Sequence, residues 1–346
     1  MKIAIVTDAW LPQTNGVVRT LTETRRCLDR EGCDVLMVTP QEFRTAPCPT
    51  YPEIRLALFP RRKVFRLLDR FAPDALHIAT EGPLGLAGRR WALRRRRIFT
   101  TAWHTQFPRY IRARAPIPLS WSYGALRWFH GPATRTLVPT ESIRRELAGR
   151  GFGPLVIWGR GVDTELFRPD RATGLPGARP IMMYMGRVAV EKNVQAFLDL
   201  DLPGTKYVVG DGPALQDLRR RYPDAVFTGA HYGEALAARL ASADVFVFPS
   251  LTDTFGLVLL EAMACGVPVA AYPVTGPADV VLQGRTGVLD QDLGAAVRAA
   301  LELDGGACRS FSLDHSWEAA SRTFLQHLVF PTEEDLEEAQ YRRAVQ

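Results

Sequence analysis

The feature that most constrains the fold is a regular alternation of short apolar runs with amphipathic segments. The apolar run at residues 2–6 is followed by helical spacing of Val17, Leu21 and Leu28 and then by a second apolar run at 34–40. Because parallel strands must be joined by crossovers, usually helices, this alternation is typical of a parallel sheet with helices on both faces.

The same pattern extends along the chain and restarts near its middle. In the first series it predicts further strands at 74–80, 97–103, 136–140 and 154–159, and helices at 16–29, 61–71, 83–95, 119–130 and 141–149. In the second series it predicts strands at 180–186, 206–210, 225–229, 244–250 and 268–273, and helices at 191–200, 214–222, 233–241 and from about Phe255.

The segment 161–180 separates the two series and is rich in Pro, Gly and Arg, which is typical of a linker. We therefore predict an α/β protein with two doubly wound Rossmann-like domains, at 1–160 and 181–314, that face a central cleft. In sheets of this type, ligands bind beyond the carboxyl ends of the strands.

Charge is divided unevenly between the two predicted domains. The chain carries 43 Lys and Arg residues against 37 Asp and Glu, a net charge of +6. Residues 1–160 hold 27 of the basic and 12 of the acidic side chains, whereas residues 161–346 hold 16 and 25. A basic first half predicts an anionic partner there, such as a membrane surface or a nucleic acid.

Composition excludes several other classes of protein. A hydrophobic content of 47% with 10% aromatic residues excludes a disordered chain. No apolar run reaches the ~20 residues of a membrane span, and the first strand follows Met1 directly, so we expect neither a membrane-spanning helix nor a signal peptide. The 5 cysteines lack metal-binding spacing and fit reduced thiols in a cytoplasmic protein.

Two loops at predicted strand–helix junctions carry residue types that bind phosphate. In the loop 10–17, Gly16 opens the first helix and lets backbone N–H groups approach a phosphate. In the segment 186–193, Arg187 and Lys192 can converge on one diphosphate. Taken alone, the first loop is also compatible with a tight turn, and the second with a solvated helix start.

The most informative segment is residues 249–269. Asp253 precedes a predicted helix there, and the backbone amides of residues 254–256 would open that helix and face a ligand. Glu261 stands in an otherwise apolar stretch, and a buried carboxylate needs a partner, such as a ribose diol. The alternative for Asp253 is an ordinary N-cap.

Histidine and acidic motifs give weaker signals. His104, at the end of a predicted strand, would face the cleft, although a single histidine is equally typical of a structural role. The other histidines lack ligand-like spacing, so no histidine-based metal site is expected. The D-x-D sequence of Asp199 and Asp201 lies at the end of a predicted amphipathic helix and is interpreted as a surface feature.

Taken together, these motifs resemble the GT-B retaining glycosyltransferases of family four, especially bacterial members that form glycosyl diacylglycerols. The resemblance covers essentially the whole chain and is carried by residues 15–17, 103–105, 186–192, 210–213, 227–229, 249–269 and 316–318. It implies that helices in 315–346 cross back onto the first domain. The family usually has an E-x7-E motif, and in this chain Asp253 replaces the first glutamate. The aspartate side chain is shorter, so the identity of the donor sugar is not determined by the motif.

The resemblance also implies a role for each matching residue. It places His104, Arg187, Lys192 and Asp253 at the catalytic centre, with the two cations neutralising a diphosphate leaving group. It implies a donor-binding set that consists of Gly16, Ala230, His231, Thr254, Phe255, Gly256 and Glu261. In that set, Glu261 would bind the ribose hydroxyls, and Ala230 and His231 would line the base pocket.

The residues themselves favour transfer over hydrolysis. Retaining hydrolases need two carboxylates about 5 Å apart, whereas Asp253 and Glu261 would lie ~12 Å apart along one helix. The implied reaction is same-face transfer of a hexose from a nucleoside diphosphate to an acceptor hydroxyl, in which the cations stabilise the departing phosphate. We expect no cofactor and no metal ion to be required.

We expect the basic half of the chain to bind the acceptor at a membrane, because its clusters of arginine and aromatic residues suit an anionic membrane surface. The predicted membrane and acceptor residues are Arg61, Arg62, Lys63, Arg66, Arg70, Arg109, Arg112, Trp121 and Trp128. The alternative is that the apolar face of helix 61–71 is core and its charges are only solvated. No recognition motif supports binding of nucleic acid.

These observations predict a monomeric enzyme held peripherally at the inner face of the cell membrane. Its favoured donors are UDP-glucose and UDP-glucuronate, and its favoured acceptor is a lipid hydroxyl such as that of diacylglycerol. A GDP-mannose-dependent mannosyltransferase acting on a glycolipid or polysaccharide precursor is the main alternative. A nucleotide-sugar-binding protein without transferase activity is a second, against which the joint presence of Arg187, Lys192 and Glu261 argues.

Overall fold

The computed structural model describes residues 1–331 apart from 14, 49–50, 109–111, 113–117 and 252, with only the backbone described at 51–53. The chain divides into two compact units. Unit 1 holds Met1–Gly159 and the segment from Ala320 onward, and unit 2 holds Arg160–Ala319. Residues 161–180, predicted as a linker, fall inside unit 2.

Unit 1 is built on a parallel sheet. Its strands are β1 (Lys2–Val6), β2 (Asp34–Val38), β3 (Thr45–Cys48), β4 (Tyr51–Ala57), β5 (Ala75–Ile78), β6 (Thr100–Ala102), β7 (Arg135–Val138) and β8 (Leu155–Ile157). Its helices include α1 (Gly16–Arg30), α2 (Arg61–Phe71), α3 (Pro83–Arg95), α4 (Leu119–His130) and α5 (Glu141–Ala148). Among the described residues, six strands pair in the order β2-β1-β5-β6-β7-β8, and β3 and β4 form a separate antiparallel pair.

Unit 2 repeats this architecture. Its strands are β9 (Ile181–Met185), β10 (Thr205–Val209), β11 (Val226–Gly229), β12 (Val245–Phe248), β13 (Val269–Ala271) and β14 (Gly287–Leu289). Its helices include α6 (Val194–Leu198), α7 (Leu215–Arg221), α8 (Gly233–Ala241), α9 (Leu257–Ala264), α10 (Pro277–Val280), α11 (Leu293–Ala300) and α12 (Gly305–Leu313). In the part of the chain that is described, the strand order is β11-β10-β9-β12-β13-β14.

The strands are buried on both faces, because successive side chains of a strand point to opposite sides of its sheet. In β1, Ile3 belongs to the hydrophobic cluster on one face and Ala4 to the cluster on the other. In β9, Met183 and Met182 divide between two clusters in the same way. Continuous apolar strands therefore hold helices on both faces, and the predicted α/β class with two doubly wound Rossmann-like units is confirmed.

The C-terminal helix Trp317–His327 carries the chain back into unit 1. There the indole N–H of Trp158 donates to the carbonyl of Ala320 at 3.1 Å. The Phe324 ring lies 4.8 Å from the ring of Trp158 and 4.9 Å from that of His77. This part of the predicted C-terminal segment thus packs in the core of unit 1, whereas residues 332–346 lie outside the described residues.

Two local predictions need correction. The helix predicted at 191–200 is interrupted, because Asn193 has a left-handed φ of 51° that separates a 3-10 turn at Val190–Lys192 from α6. The β3–β4 pair was not predicted, since its strands lack a clear alternation of apolar and polar residues.

Candidate active site

The strand order of unit 2 reverses between β9 and β12, because β10 and β11 are added on one side of β9 and the later strands on the other. Loops that leave two such strands diverge to opposite faces of the sheet and leave a crevice at their carboxyl ends. The loop after β9 carries Arg187 and Lys192, and the loop after β12 carries Asp253. The fold therefore brings these predicted site residues to one edge.

An ion pair joins the two loops. The Lys192 Nζ lies 2.8 Å from Asp253 Oδ2, and the two side chains are 23% and 17% exposed. The side-chain amide of Asn193 donates to the carbonyl of Pro249 at 3.1 Å, which ties the first loop to the second beside the pair. The left-handed turn at Asn193 thus fixes where Lys192 lies, while its ammonium group stays accessible to solvent.

Asp253 also orders the backbone that follows it. Its Oδ1 accepts hydrogen bonds from the amides of Thr254 at 2.8 Å and Phe255 at 3.3 Å. Helix α9 begins at Leu257, after Gly256, rather than near Phe255 as predicted. Asp253 therefore orders the turn before α9 and is not its N-cap, which is Gly256, and it takes part in the ion pair as well. Two of the three amides predicted to face a donor already donate to it.

The backbone at the ends of β9 and β10 is in close contact beneath this site. A Cβ atom at Gly210 would lie 1.8 Å from the carbonyl oxygen of Gly186, and Gly210 has a φ of 152°. Glycine is therefore required where the ends of β9 and β10 meet. The hydroxyl of Tyr184 donates to the carbonyl of Arg187 at 2.7 Å, and burial, with Asp253 as a second cause, raises the pKa of Tyr184.

The remaining predicted donor residues of unit 2 differ in exposure. Glu261 is 5% exposed within the apolar helix α9, as expected for the carboxylate of a buried site. It contributes, after burial itself, to raising the pKa of the Cys265 thiol to about 12. Arg187 and Ala230 are exposed, and the Nε2 of half-buried His231 has no hydrogen-bond partner among the described residues. The ribose-binding and base-binding roles stay predictions.

Two further site residues were not predicted from the sequence. Gly276, in the loop before α10, has a φ of 96°, and a Cβ there would lie 3.3 Å from the Cβ of Asp253. Asn193 ties the two loops together, as described above. The Thr275-Gly276-Pro277 sequence after β13 is the signal that could have indicated the first of them, since Gly before Pro marks a turn.

Gly16 and His104 lie in unit 1. Gly16 is the exposed first residue of α1, and the preceding Asn15 caps this helix by accepting from the amides of Val17 and Val18, both at 3.0 Å. His104 is buried after the end of β6, and its ring lies edge-on to Trp158 at 5.7 Å. The helix start is thus open at Gly16, whereas His104 belongs largely to the packed interior.

The predicted membrane residues also lie in unit 1. Val64 and Leu68 on the apolar face of α2 are fully buried in the core, so that face is not available to a membrane. Lys63 donates to the carbonyl of Glu42 and lies over the ring of Phe43. The exposed members of the set are Arg61, Arg62, Arg66, Arg70, Arg112, Trp121 and Trp128, and Arg109 lies outside the described residues.

The D-x-D sequence has local partners in unit 2. Asp199 accepts a hydrogen bond from the hydroxyl of Tyr222, and both Asp199 and Asp201 lie near the ammonium group of Lys206. Within the described ranges, no group of three or more His, Cys, Asp or Glu side chains is placed to hold a metal ion. Metal independence stays a prediction. No helix in those ranges is long and apolar enough to cross a membrane.

Comparison with known proteins identifies the family. Residues 14–166 match the model of Glycosyltransferase Family 4, and residues 179–303 match that of Glycosyl transferases group 1. The chain is 34% identical to a GDP-mannose-dependent alpha-mannosyltransferase of Mycolicibacterium smegmatis over 89% of this chain and 86% of that protein. The chain belongs to glycosyltransferase family 4. It is therefore a glycosyltransferase that uses a nucleotide-sugar donor.

Other family 4 relatives differ in the sugar or acceptor that they are named for. The chain is 31% identical to the sulfoquinovosyl transferase SQD2 of Arabidopsis thaliana, over 86% of this chain and 67% of that protein. It is 25% identical to the alpha-monoglucosyldiacylglycerol synthase of Streptococcus pneumoniae, over 87% and 78% of the two chains. Among solved structures, sucrose-phosphate synthase from Thermosynechococcus elongatus aligns with a TM-score of 0.75 at 20% identity, covering 94% of this chain and 97% of that one, which shows the GT-B fold.

Proposed function

We propose that this family 4 enzyme is a retaining, GDP-mannose-dependent α-mannosyltransferase that acts on a lipid-linked hydroxyl at a membrane surface. Similarity to a named mannosyltransferase over nearly the whole chain supports the donor. UDP-glucose, which the sequence alone favoured together with UDP-glucuronate, is the second candidate. The similarity to an alpha-monoglucosyldiacylglycerol synthase is lower but also covers most of both chains.

The Lys192–Asp253 ion pair is the observation that carries the transferase chemistry. A diphosphate that enters this edge of the sheet can take over the Lys192 ammonium group from Asp253, because the ion pair is accessible to solvent. Asp253 is then free to accept from a hydroxyl of the donor sugar. Arg187 on the same loop adds a second positive charge that stabilises the leaving group.

The proposed reaction needs no group beyond donor and acceptor. The acceptor oxygen forms a bond to C1 of the sugar on the face from which the diphosphate departs, and the bond between C1 and the phosphate oxygen breaks. The acceptor proton passes to the departing phosphate oxygen. Stabilising the developing phosphate charge is therefore the main task of the protein, and a fixed ammonium group performs it without reorganisation.

A basic surface on unit 1 supports a membrane-bound acceptor. The pKa of Arg61 is lowered mainly by Arg94 and Arg90, which places the exposed start of α2 beside the exposed basic face of α3. Trp121 is 74% and Trp128 60% exposed, and both are large enough to insert at a lipid interface. A cluster of arginines and two exposed tryptophans on the same unit suit anionic headgroups.

A donor-by-acceptor screen tests the proposal. Radiolabelled GDP-mannose, UDP-glucose and UDP-glucuronate are each incubated with vesicles that contain phosphatidylglycerol and either diacylglycerol or monoglucosyl diacylglycerol. We expect labelled lipid with GDP-mannose. We also expect the rate of transfer to be much higher in vesicles that contain phosphatidylglycerol than in control vesicles of phosphatidylcholine. If labelled lipid forms only with a UDP-sugar, GDP-mannose is not the donor and the second candidate is supported. If no donor gives labelled lipid, the acceptor is not one of these lipids and the proposed lipid acceptor is wrong.

A further inference from the structure

Gln106 has an unusual environment at the carboxyl end of β6 in unit 1. Its side chain is 2% exposed, and neither its Oε1 nor its Nε2 has a hydrogen-bond partner among the described residues. A buried amide without partners costs about 1–3 kcal/mol of stability. Folded chains therefore rarely keep such a group unless something else binds it.

Two other glutamines of this chain, buried Gln13 and exposed Gln283, do find partners. The Oε1 of Gln13 accepts from the side chain of Asn15 at 3.1 Å. The Oε1 of Gln283 accepts from the amide of Leu289 at 2.7 Å. The lack of a partner is thus a property of the position of Gln106 and not of glutamine in this fold.

A second polar group lies close by in the chain. Trp103 is 1% exposed, and its indole N–H also has no partner in the described part of the chain. Strand β5 pairs with β6, and its loop carries Glu81, whose Oε1 lies 3.3 Å from the Nε2 of His130. The carboxyl ends of β5 and β6 therefore bring several polar side chains to one edge of the sheet, where ligands bind in α/β units.

The chemistry of an amide indicates what would bind. A phosphate or carboxylate requires donors only, whereas the side chain of Gln106 offers one acceptor and two N–H donors. A hydroxyl group both donates and accepts, so it matches an amide in full. A neutral polyol, such as the sugar or glycerol part of an acceptor, is therefore the ligand class that this position suits.

We propose that the side-chain amide of Gln106 binds hydroxyl groups of the acceptor headgroup and so determines acceptor specificity. This inference rests on the proposed glycosyl transfer to a hydroxyl acceptor. Gln106 does not take part in the chemical step and makes its contribution through acceptor binding.

The substitution Gln106→Met tests the proposal, because methionine keeps the shape of glutamine and removes its hydrogen-bonding groups. With monoglucosyl diacylglycerol in phosphatidylglycerol vesicles, we expect the acceptor KM to rise about 10-fold while the donor KM stays unchanged. The Tm should be unchanged or higher, since no hydrogen bond to a described residue is lost. Gln283→Met is the control for loss of a glutamine that has a hydrogen-bond partner, at an exposed position, and it should lower the Tm by about 1–3 °C without changing the acceptor KM.

The outcomes separate this inference from the proposed function. If Gln106→Met lowers the Tm as Gln283→Met does and leaves the acceptor KM unchanged, Gln106 is bound by water or protein and the inference is wrong. If the wild type transfers no sugar to either lipid, the lipid acceptor itself fails. Nucleotide release in the absence of acceptor, measured in the same samples, then shows whether the donor site is still active.

Discussion

Both units are doubly wound parallel sheets whose strand order reverses beside the first strand, with one strand on the near side of β1 in unit 1 and two on that side of β9 in unit 2. They use the point of reversal in different ways. In unit 1 this point lies between β1 and β5. Asp8, after β1, accepts hydrogen bonds there from the amides of Leu84 at 2.8 Å and Gly85 at 3.2 Å and from the hydroxyl of Thr80 at 3.0 Å. Asp8 is 5% exposed, so the start of α3 is capped by a buried side chain of the protein itself.

In unit 2 the side chains of opposite charge that meet across the reversal are Lys192 and Asp253, and this pair is accessible to solvent. The Asp8 carboxylate therefore occupies the amides at the start of α3, whereas the Asp253 carboxylate binds a cation that a ligand can take over. Topology therefore marks the place where a site can form, but the partners of the side chains at that place determine whether they stabilise the fold or bind a ligand. On this basis, changes at Asp8 should act on stability and changes at Lys192 on catalysis.

The largest expected effect comes from Lys192→Ala. Loss of the ammonium group that stabilises the leaving diphosphate should reduce kcat by about 10²–10³-fold. The fold should persist, because the side chain is part-exposed and lies in a loop. Steady-state transfer from the donor that proves active is the measurement, with circular dichroism to check folding.

Lys206→Met is the matched control for that variant. The Lys206 ammonium group donates to the carbonyls of Leu198 and Leu200, so it satisfies the end of α6 and does not approach the ion pair. The Lys206→Met variant should have a lower free energy of unfolding but a kcat close to that of the wild type. If Lys192→Ala kept full activity, Lys192 would not stabilise the leaving diphosphate, and the role assigned to it would be wrong.

A second prediction concerns the backbone beneath the ion pair. Gly210→Ala combines a disfavoured φ with a Cβ 1.8 Å from a carbonyl oxygen of Gly186, so it should destabilise unit 2 by about 2–5 kcal/mol. Gly229→Ala has a similarly positive φ of 76° but no atom within 4 Å, and should cost only about 1–2 kcal/mol. Urea denaturation measures both, and equal losses would contradict the close contact of β9 and β10.

The third prediction uses pH to sharpen the contrast at Asp8. Burial raises the pKa of Asp8 from 3.8 to about 6, against the lowering effect of its hydrogen bonds. The folded chain therefore keeps a proton that the unfolded chain releases, so this group's contribution to the free energy of unfolding is largest below pH 4. It should fall by up to about 3 kcal/mol as the pH rises to 6 and beyond.

Asp8→Asn tests this pH dependence because asparagine does not titrate. Urea denaturation at several pH values between 4 and 7 should show a smaller decrease in stability with rising pH for the variant than for the wild type. Identical profiles would mean that Asp8 ionises normally in the folded chain and that the cap is not desolvated.

The sequence predicted most of the fold because periodicity is a local property. Helices at 61–71, 83–95, 119–130 and 233–241 begin and end where they were predicted. Apolar periodicity marks their extent, and a Pro or Gly marks several of their ends. The interruption at Asn193 escaped prediction, since a left-handed residue inside a periodic segment is stabilised by a carbonyl on another loop and leaves no local signal.

The candidate site was predicted in part. Lys192 and Asp253 were each identified from motifs, but their contact joins residues 61 positions apart and depends on strand order. Asp8 was missed as a cap because its partners, Leu84 and Gly85, lie more than 70 positions away. Residue types at strand ends are thus readable from sequence, whereas the partners that set exposure and pKa require the tertiary fold.

The smallest expected effect distinguishes two acidic sites within unit 2. Asp199 accepts from the hydroxyl of Tyr222 and lies near Lys206, so its partners are structural. Asp199→Asn should lower the free energy of unfolding by no more than about 1 kcal/mol, because the amide oxygen still accepts from Tyr222 and only the negative charge beside Lys206 is lost. It should leave the donor KM unchanged. Asp253→Asn should instead raise the donor KM, because a neutral amide accepts more weakly than a carboxylate from the hydroxyl of the donor sugar. A raised donor KM in Asp199→Asn would place donor recognition at the D-x-D sequence, and the reversal of strand order would then not mark the donor site of this unit.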